Sequence, residues 1–85
     1  MNLNQLRYFV SVAENGSFTK AAVNHYISQT AITQQIQALE ENIGTKLLDR
    51  NKRPVSLTPA GKVFLKEARE ILGRMETALL RTREA

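Results

Sequence analysis

Uncharged side chains that both donate and accept hydrogen bonds line one side of the segment SQTAITQQIQALE, residues 28–40. Ile32, Ile36 and Leu39 recur at the spacing of an amphipathic helix and occupy the other side. The polar side carries Gln29, Thr30, Thr33, Gln34 and Gln37. Its first charge is Glu40. Since the polar face of a surface helix is commonly rich in charged residues, a neutral polar face favours a partner with hydrogen-bonding groups of its own.

Amide and hydroxyl side chains can discriminate between base pairs in the major groove of DNA. A glutamine amide can pair with N6 and N7 of adenine, and a threonine can contact a base edge or the thymine methyl group. Acidic side chains there would be repelled by phosphates, whereas lysine would bind phosphates with little regard to sequence. The neutral face therefore favours contact with base edges, although an ordinary solvated helix face can have the same composition.

Positive charge is concentrated shortly after this segment. The chain has a net charge of +4, and the stretch from Lys46 to Arg53 holds four cations against Asp49 alone, a net +3. Such a cluster is typical of a phosphate-binding surface, and it also occurs in basic loops that are only solvated. We expect Arg50, Lys52 and Arg53 to contact the DNA backbone or the minor groove and to supply most of the salt-dependent affinity.

Three helices are predicted before the basic stretch, and each begins at a residue whose side chain can accept a backbone hydrogen bond. These capping residues are Asn2, Ser17 and Ser28. Gln5 completes a capping box in the first helix, which Gly16 ends, and Gly44 ends the third helix after Ile43. The second helix is short and is predicted to reach about Tyr26. Two helices joined by so few residues fit a helix-turn-helix, whose second helix lies in the major groove.

A two-stranded hairpin and a long helix are predicted after the third helix. KLLDR and PVSL are the strands, with NKRP as a basic tip and Pro54 at the start of the second strand. Thr58-Pro59 then opens a helix of roughly 40 Å that continues to the end of the chain. Its apolar stripe contains Phe64, Ala68, Leu72, Met75 and Leu79. We expect the first turns of this stripe to join the core, and the part beyond about Leu72 to form a dimer seam.

Length and composition place further bounds on the chain. With 85 residues, 42% hydrophobic and 24% charged, it has the size of one small globular unit. We divide it into a DNA-binding domain, residues 1–58, and a linker and dimerisation helix, residues 59–85. It has no apolar run long enough for a membrane span and no cysteine, so we expect a cytoplasmic location. No nucleophile–base pair, phosphate-binding glycine loop or metal-ligand cluster is visible, so we expect no enzyme, cofactor or metal site.

Three segments resemble the N-terminal domain of LysR-type transcriptional regulators. They are NLNQLRYFVSVAENGSFTKAA, SQTAITQQIQALEENIGTKLLDR and LTPAG, and together they cover nearly the whole chain. The resemblance implies a winged helix-turn-helix followed by a linker helix that dimerises. It also implies a bacterial regulator, in the family mostly a tetramer, that senses a small molecule through a separate C-terminal domain. Since that domain is absent from these 85 residues, we expect the chain to be part of a longer regulator, with a naturally short protein as the alternative.

The resemblance also implies which side chains contact DNA. The family's base-contacting segment begins with Ser28 and Gln29. The positions carried over are Gln29, Thr30, Thr33 and Gln34 for bases and Arg53 for the minor groove. This chain departs from the family's frequent proline at Thr30, serine at Thr33 and basic residue at Gln34. The loss of a basic side chain at Gln34 removes a partner for guanine or phosphate, so we expect a different preferred operator with a shift towards adenine.

Two functions remain open at this point. Sequence-specific binding of double-stranded DNA by a homodimer is favoured by the neutral face and the basic tip together. The alternative is a protein-interaction adaptor, with the winged fold used for docking and the long apolar stripe used as a coiled coil.

The sequence leaves the roles of three single residues open as well. Asp49 either pairs with Arg50 and orients it, or is ordinary strand polarity. Gly73 either allows close approach of a partner helix, or is merely tolerated. His25 is expected at an exposed helix end, because no other histidine or cysteine is present to form a metal site with it.

Overall fold

Four helices and a short hairpin make up the computed structural model, which describes residues 1–85. The elements are α1 (Leu3–Asn15), α2 (Phe18–Asn24), α3 (Gln29–Ile43), β1 (Leu48–Asp49), β2 (Ser56–Leu57) and α4 (Pro59–Glu84). The two strands pair antiparallel, with Leu48 opposite Leu57 and Asp49 opposite Ser56. The predicted architecture of three helices, a hairpin and a long last helix is confirmed.

Side-chain caps set the start of each helix, as the sequence predicts. The Asn2 side chain accepts a hydrogen bond from the Gln5 amide at 2.9 Å, and the Asn2 amide donates to the Gln5 side chain at 3.2 Å. This pair is the expected capping box of α1. Ser17, Ser28 and Thr58 cap α2, α3 and α4 through their hydroxyl oxygens. Local chemistry therefore fixes where the elements begin.

The turn between α2 and α3 begins earlier than predicted. The last residue of α2 is Asn24, and the helix does not continue to Tyr26. Tyr26 has a φ of 57°, in the left-handed region that a right-handed helix cannot pass through. The Ile27 amide then donates to the carbonyl of Ala22 at 3.1 Å, which closes the end of α2. This tight turn sets the angle at which α3 leaves α2.

The core lies where α1, α2 and α3 meet. Its largest fully buried side chains are Phe9, Val12, Ile32, Ile36, Leu39 and Leu47. The fourth helix joins this core through Ala68, which is fully buried, and through Phe64, whose ring lies 5.5 Å from that of Phe9. A Cβ atom at Gly61 would overlap the carbonyl group of Leu47, so α4 can approach the start of the hairpin only because this residue is glycine.

Glu40 lies inside the protein, and its expected place on the polar side of α3 is wrong. Only 3% of the residue is exposed. The amides of Leu47 and Leu48 donate to its Oε2 atom at 2.8 and 3.3 Å. The Nζ atom of Lys46 lies 3.9 Å from its Oε1 atom. The buried carboxylate therefore connects the last turn of α3 to strand β1.

The hairpin, residues 48–57, forms a wing that packs against the junction of α1 and α2. The amide of Val55 donates to the carbonyl of Gly16 at 2.9 Å. Gly16 has a φ of 63°, and a Cβ atom there would lie 2.8 Å from the Cβ atom of Pro54. Glycine is therefore needed at this position both for the backbone conformation and for the approach of the wing. Pro54 lies in the loop two residues before β2, and does not begin that strand as predicted.

Helix α4 extends well beyond the body of the molecule. Its 26 residues correspond to a length of about 39 Å, and the whole molecule measures 47 × 27 × 20 Å. Its first turns belong to the core, as predicted, and Leu72 and Met75 are half-buried. Beyond them Leu79 and Leu80 are 48% and 56% exposed. This chain alone leaves the last apolar part of α4 uncovered, and its role as a dimer seam stays a prediction.

Candidate nucleic-acid interface

The polar face of α3 is open to solvent over its first two and a half turns. Gln29, Thr30, Gln34 and Gln37 are exposed, and Thr33 is half-buried. These five uncharged residues line a shallow depression of about 400 Å³. The preceding Ser28 is exposed, and its hydroxyl oxygen accepts a hydrogen bond from the Ala31 amide at 3.0 Å. All the predicted base-contacting residues are thus accessible, and Ser28 also caps the helix.

Burial of the opposite face fixes the rotation of α3. Ile32, Ile36 and Leu39 are completely buried, so the polar face must point away from the core. A side-chain hydrogen bond of 3.1 Å from Gln5 to Gln35 adds a second restraint, and Gln5 itself is 8% exposed. Gln5, the capping-box partner of Asn2 in α1, therefore also helps to orient α3.

Arg53 and Lys52 are the exposed cations at the tip of the wing. The Arg53 guanidinium donates through Nη1 to the carbonyl oxygens of Arg50 and Lys52, at 2.7 and 3.3 Å. The ammonium group of Lys52 lies 4.0 Å from the carboxylate of Asp49. An exposed ion pair at this distance contributes little to stability, so Lys52 remains available to a phosphate. Both side chains keep donors free for an anionic partner.

Arg50 is held differently from the other two wing cations. Its guanidinium carbon lies 4.5 Å from the centroid of the Phe18 ring in α2, a cation–π contact. The residue is half-buried, and its Nη2 atom is buried without a hydrogen-bond partner in the chain. The suggested ion pair with Asp49 is not formed, because Asp49 instead accepts from the Asn51 amide at 3.0 Å and lies near Lys52. Phe18, rather than an acidic residue, orients Arg50.

One cleft brings α2, α3 and the wing together. It has a volume of about 230 Å³, and its lining includes four of the predicted site residues. These are Gln29, Thr33, Arg50 and Arg53. Thr30, Gln34 and Gln37 lie further along the face of α3, outside the cleft, and Lys52 lies at the tip of the wing. The structure therefore places the neutral face and the cations on adjoining surfaces.

Two contact residues of this cleft were missed by the sequence analysis. Phe18 supplies the ring beneath Arg50, and the hydroxyl of Thr19 donates to the Gln29 side-chain oxygen at 3.1 Å. Neither residue has a role in the site that the sequence predicted. Their positions directly after the Ser17 cap place them in the first turn of α2, facing α3 and the wing. Their position in the first turn of the second helix was the only feature of the sequence that indicated a place in the site.

The remaining titratable groups form no metal-binding cluster. No group of three or more histidine, aspartate or glutamate side chains is placed to hold a metal ion. His25 is the half-buried C-cap that follows α2, and its ring contacts that of Tyr8 edge-on, with the ring centroids 5.1 Å apart. It is thus less exposed than expected. None of the four helices combines the length and apolarity that a membrane crossing requires.

Comparison with known proteins identifies the family of this helix-turn-helix and wing. Residues 3–62 match the model of the bacterial regulatory helix-turn-helix proteins of the lysR family. The chain belongs to the lysR family. The match covers more than half of the chain and includes every predicted site residue. The winged helix-turn-helix expected from the sequence resemblance is therefore confirmed as the fold of this LysR-family domain.

Relatives with curated descriptions are transcriptional regulators. The LysR-family domain is 51% identical over 85 residues to the regulator TfdT of Cupriavidus pinatubonensis (strain JMP 134), and covers 37% of that protein. It is 48% identical over 85 residues to the regulator ClcR of Pseudomonas putida, and covers 29% of it. Both alignments include the whole of this chain. The chain thus spans about a third of the length of these relatives.

Solved structures with the same fold include complexes with DNA. The BenM_DBD/benA site 1 DNA complex superposes with a TM-score of 0.96 at 44% identity, over 99% of this chain and 94% of that one. Full-length CbnR complexed with its target DNA superposes with a TM-score of 0.92 at 45% identity. That match covers 100% of this chain and 30% of CbnR. The whole LysR-family domain, including α4, therefore has counterparts in proteins solved with DNA.

Proposed function

We propose that this LysR-family domain binds double-stranded DNA sequence-specifically, as a homodimer and as part of a transcriptional regulator. Residues 1–58 form the DNA-binding domain, and residues 59–85 form the linker and dimerisation helix. The observation that carries the proposal is the exposed neutral face of α3, beside a cleft that also holds Arg50 and Arg53. The DNA complexes of BenM and CbnR, which share the fold, support it.

The third helix supplies sequence discrimination in this proposal. An α-helix fits the major groove, and each base pair there presents its own pattern of donors and acceptors. Gln29, Thr30, Thr33, Gln34 and Gln37 offer amides and hydroxyls to that pattern. The hydroxyl oxygen of Ser28 accepts the capping hydrogen bond, and its hydroxyl hydrogen can still be donated to a base or a phosphate. Contacts of this kind discriminate between sequences without adding charge.

The wing supplies attraction to the backbone or the minor groove. Arg53 and Lys52 are exposed at its tip, whereas Arg50 is anchored on Phe18 at the base of the cleft. An anchored guanidinium loses little further freedom when it binds a phosphate oxygen. The flexible cations at the tip and the fixed one at the base therefore make separate contributions to affinity.

The uncovered end of α4 is proposed to pair with a second copy of the chain. A two-fold dimer presents two copies of α3 to two half-sites, which is how helix-turn-helix proteins bind palindromic operators. The longer regulator, of which this chain would be the DNA-binding part, is proposed to be a tetramer with a C-terminal effector domain. It would act in the bacterial cytoplasm, where the DNA is, and we assign this domain no catalytic role and no cofactor.

Replacement of Gln29 tests the assignment of α3. The operator is first selected from a random duplex pool with the wild-type protein. Gln29→Ala is then expected to lower the preference for this operator over random DNA by about 5- to 150-fold, since a paired amide gives about 1–3 kcal/mol of discrimination. Affinity for random DNA should change less than twofold. Fluorescence anisotropy with both duplexes measures the two quantities.

Asn42→Ala is the matched control for this experiment, because Asn42 is an exposed amide of α3 away from the polar face. If Gln29→Ala kept the full operator preference, the assignment of the contacting face would be wrong. If the wild-type protein selected no sequence at all, the adaptor function would replace DNA binding as the better proposal.

Replacement of Arg53 tests the role of the wing. Arg53→Ala is expected to weaken binding to operator and random DNA alike, and to lower the slope of log affinity against log salt by about 1. The reason is that one fewer phosphate is neutralised and one fewer counterion released. Titrations between about 50 and 200 mM salt measure the slope. Lys66→Ala removes an exposed cation of α4 and should leave the slope unchanged; equal slopes for all three proteins would exclude Arg53 from the interface.

A further inference from the structure

Thr19 holds the amide of Gln29 before any DNA is present. Its Oγ1 atom donates to the Gln29 Oε1 atom at 3.1 Å, across the turn that joins α2 to α3. Both residues are exposed, and both line the cleft that Arg50 and Arg53 share. The hydrogen bond therefore lies at the surface that the proposed function assigns to DNA, and it joins one residue predicted to contact bases with one that was not.

An unrestrained glutamine amide can turn by half a rotation and exchange its donor end with its acceptor end. With Thr19 as the donor, Oε1 faces α2, and both N–H bonds of Nε2 remain free. Arg50 and Arg53 line the same cleft and make it positive, and a positive surrounding favours the amide oxygen over the amino group on the cleft side. The Thr19 hydroxyl holds the amide in the cleft, and because a hydroxyl could also accept from an amide N–H, the positive charge of the cleft decides which end of the amide faces Thr19.

We propose that Thr19 is a positioning residue for specificity, which fixes Gln29 as a hydrogen-bond donor towards the base pair that it meets. This inference rests on the proposed function. A donor in the major groove fits the acceptors N7 of either purine, O6 of guanine and O4 of thymine. We assign N7 of a purine as the partner of Nε2. The pair with N6 of adenine is then secondary, because Thr19 already uses one of the two lone pairs on Oε1.

Preorganisation explains why an exposed hydroxyl affects sequence preference. The hydrogen bond orders the long Gln29 side chain in the free protein, so less freedom is lost when it meets DNA. Without the hydroxyl, both orientations of the amide are accessible. The affinities for base edges that carry acceptors and for those that carry donors then become more similar. Thr19 thereby affects the choice of base, although the proposal gives it no contact with a base.

The first test needs no DNA. Nitrogen-15 relaxation of the Gln29 side-chain amide is measured in the free wild-type protein and in Thr19→Val, which keeps the shape of the residue and removes its hydroxyl. A lower order parameter in Thr19→Val, and recovery in Thr19→Ser, are expected. An unchanged order parameter would overturn the positioning role, whatever the protein binds.

The second test uses the selected operator, at the base pair whose preference Gln29→Ala removes. Replacing its purine by the 7-deaza analogue is expected to weaken wild-type binding by about three- to tenfold, as the loss of one hydrogen bond would. Thr19→Val should lose less than about twofold, because its amide no longer favours the donor orientation. Thr19→Ser should behave as wild type. Thr45→Val removes an exposed hydroxyl that lies outside the polar face of α3, and it should also behave as wild type.

Three results would overturn the inference in distinguishable ways. If Thr19→Val kept the wild-type base preference and sensitivity to N7, the hydroxyl would have no role in specificity. If it lost affinity equally for all sequences, Thr19 would contact a phosphate only. If the wild-type protein had no sequence preference, the proposed function would fail and this role with it, while the relaxation experiment would still report whether the Thr19–Gln29 contact exists.

Discussion

Replacement of Glu40 by alanine is expected to lower the free energy of unfolding by about 2–6 kcal/mol, because two buried amides would lose their acceptor at about 1–3 kcal/mol each. These amides belong to Leu47 and Leu48, and both donate to a single carboxylate oxygen. A loss of this size is a large part of the total stability of a small domain, which is typically 5–15 kcal/mol. Urea denaturation followed by circular dichroism measures it.

The neighbouring Glu41 provides a matched control. It carries the same side chain at an exposed position of the same helix, so Glu41→Ala should change stability by less than about 0.5 kcal/mol. Glu40→Gln should be intermediate between wild type and Glu40→Ala. Its amide oxygen can still accept from the two backbone donors, while its amino group would replace Oε1, which has no hydrogen-bond partner in the chain. Equal midpoints for Glu40→Ala and Glu41→Ala would show that the carboxylate has no structural role.

The same carboxylate matters for the proposed function. It connects the end of α3 to strand β1, and so fixes the distance between the neutral face of α3 and the cations of the wing. The cleft with Gln29 and Arg53 on its two sides depends on that distance. A partly folded Glu40 variant should therefore lose operator preference before it loses its helical content.

Local patterns were sufficient to predict the elements. The capping box of Asn2 and Gln5, and Gly16 and Gly44 after their helices, act over a few residues, and each is formed as expected. The position of Glu40 was also available, because it follows Ile36 by four residues and so faces the same side of the helix. Its charge nevertheless predicted a position at the protein surface, since glutamate is almost never fully buried unless it has hydrogen-bond or ion-pair partners. Those partners come from the following loop, and the helical pattern does not reveal them.

Contacts within the site could not be predicted in the same way. Arg50 and Phe18 are far apart in sequence, and they meet only because the wing folds back onto the first turn of α2. Thr19 and Gln29 meet because Tyr26 takes a left-handed conformation and sets the angle between α2 and α3. The residue types indicated what each side chain could do, and the tertiary fold decided which neighbour it found.

A charge in the apolar stripe of α4 is expected to have the largest effect on DNA binding. Leu79 is 48% exposed in the single chain, and Ile71 and Leu80 are 42% and 56% exposed. If a second copy covers this surface, Leu79→Glu would bury an unpaired carboxylate in the seam, which is strongly unfavourable. The dimer should dissociate at micromolar concentration, as sedimentation equilibrium would show, while each chain stays folded because the substitution lies outside the core.

Without the dimer, the two half-sites of the operator are bound independently. Binding of the second domain to a two-half-site operator is then no longer assisted by the first, so affinity should fall by about 100-fold or more, the usual gain from linking two binding units. Affinity for a single half-site should hardly change, because Leu79 lies far along α4 from the polar face of α3. Leu79→Met keeps the surface apolar and should behave as wild type in both experiments. If Leu79→Glu retained the wild-type dimer and the wild-type advantage for paired half-sites, the second copy must be held by another surface, and the uncovered stripe would be left for a different partner.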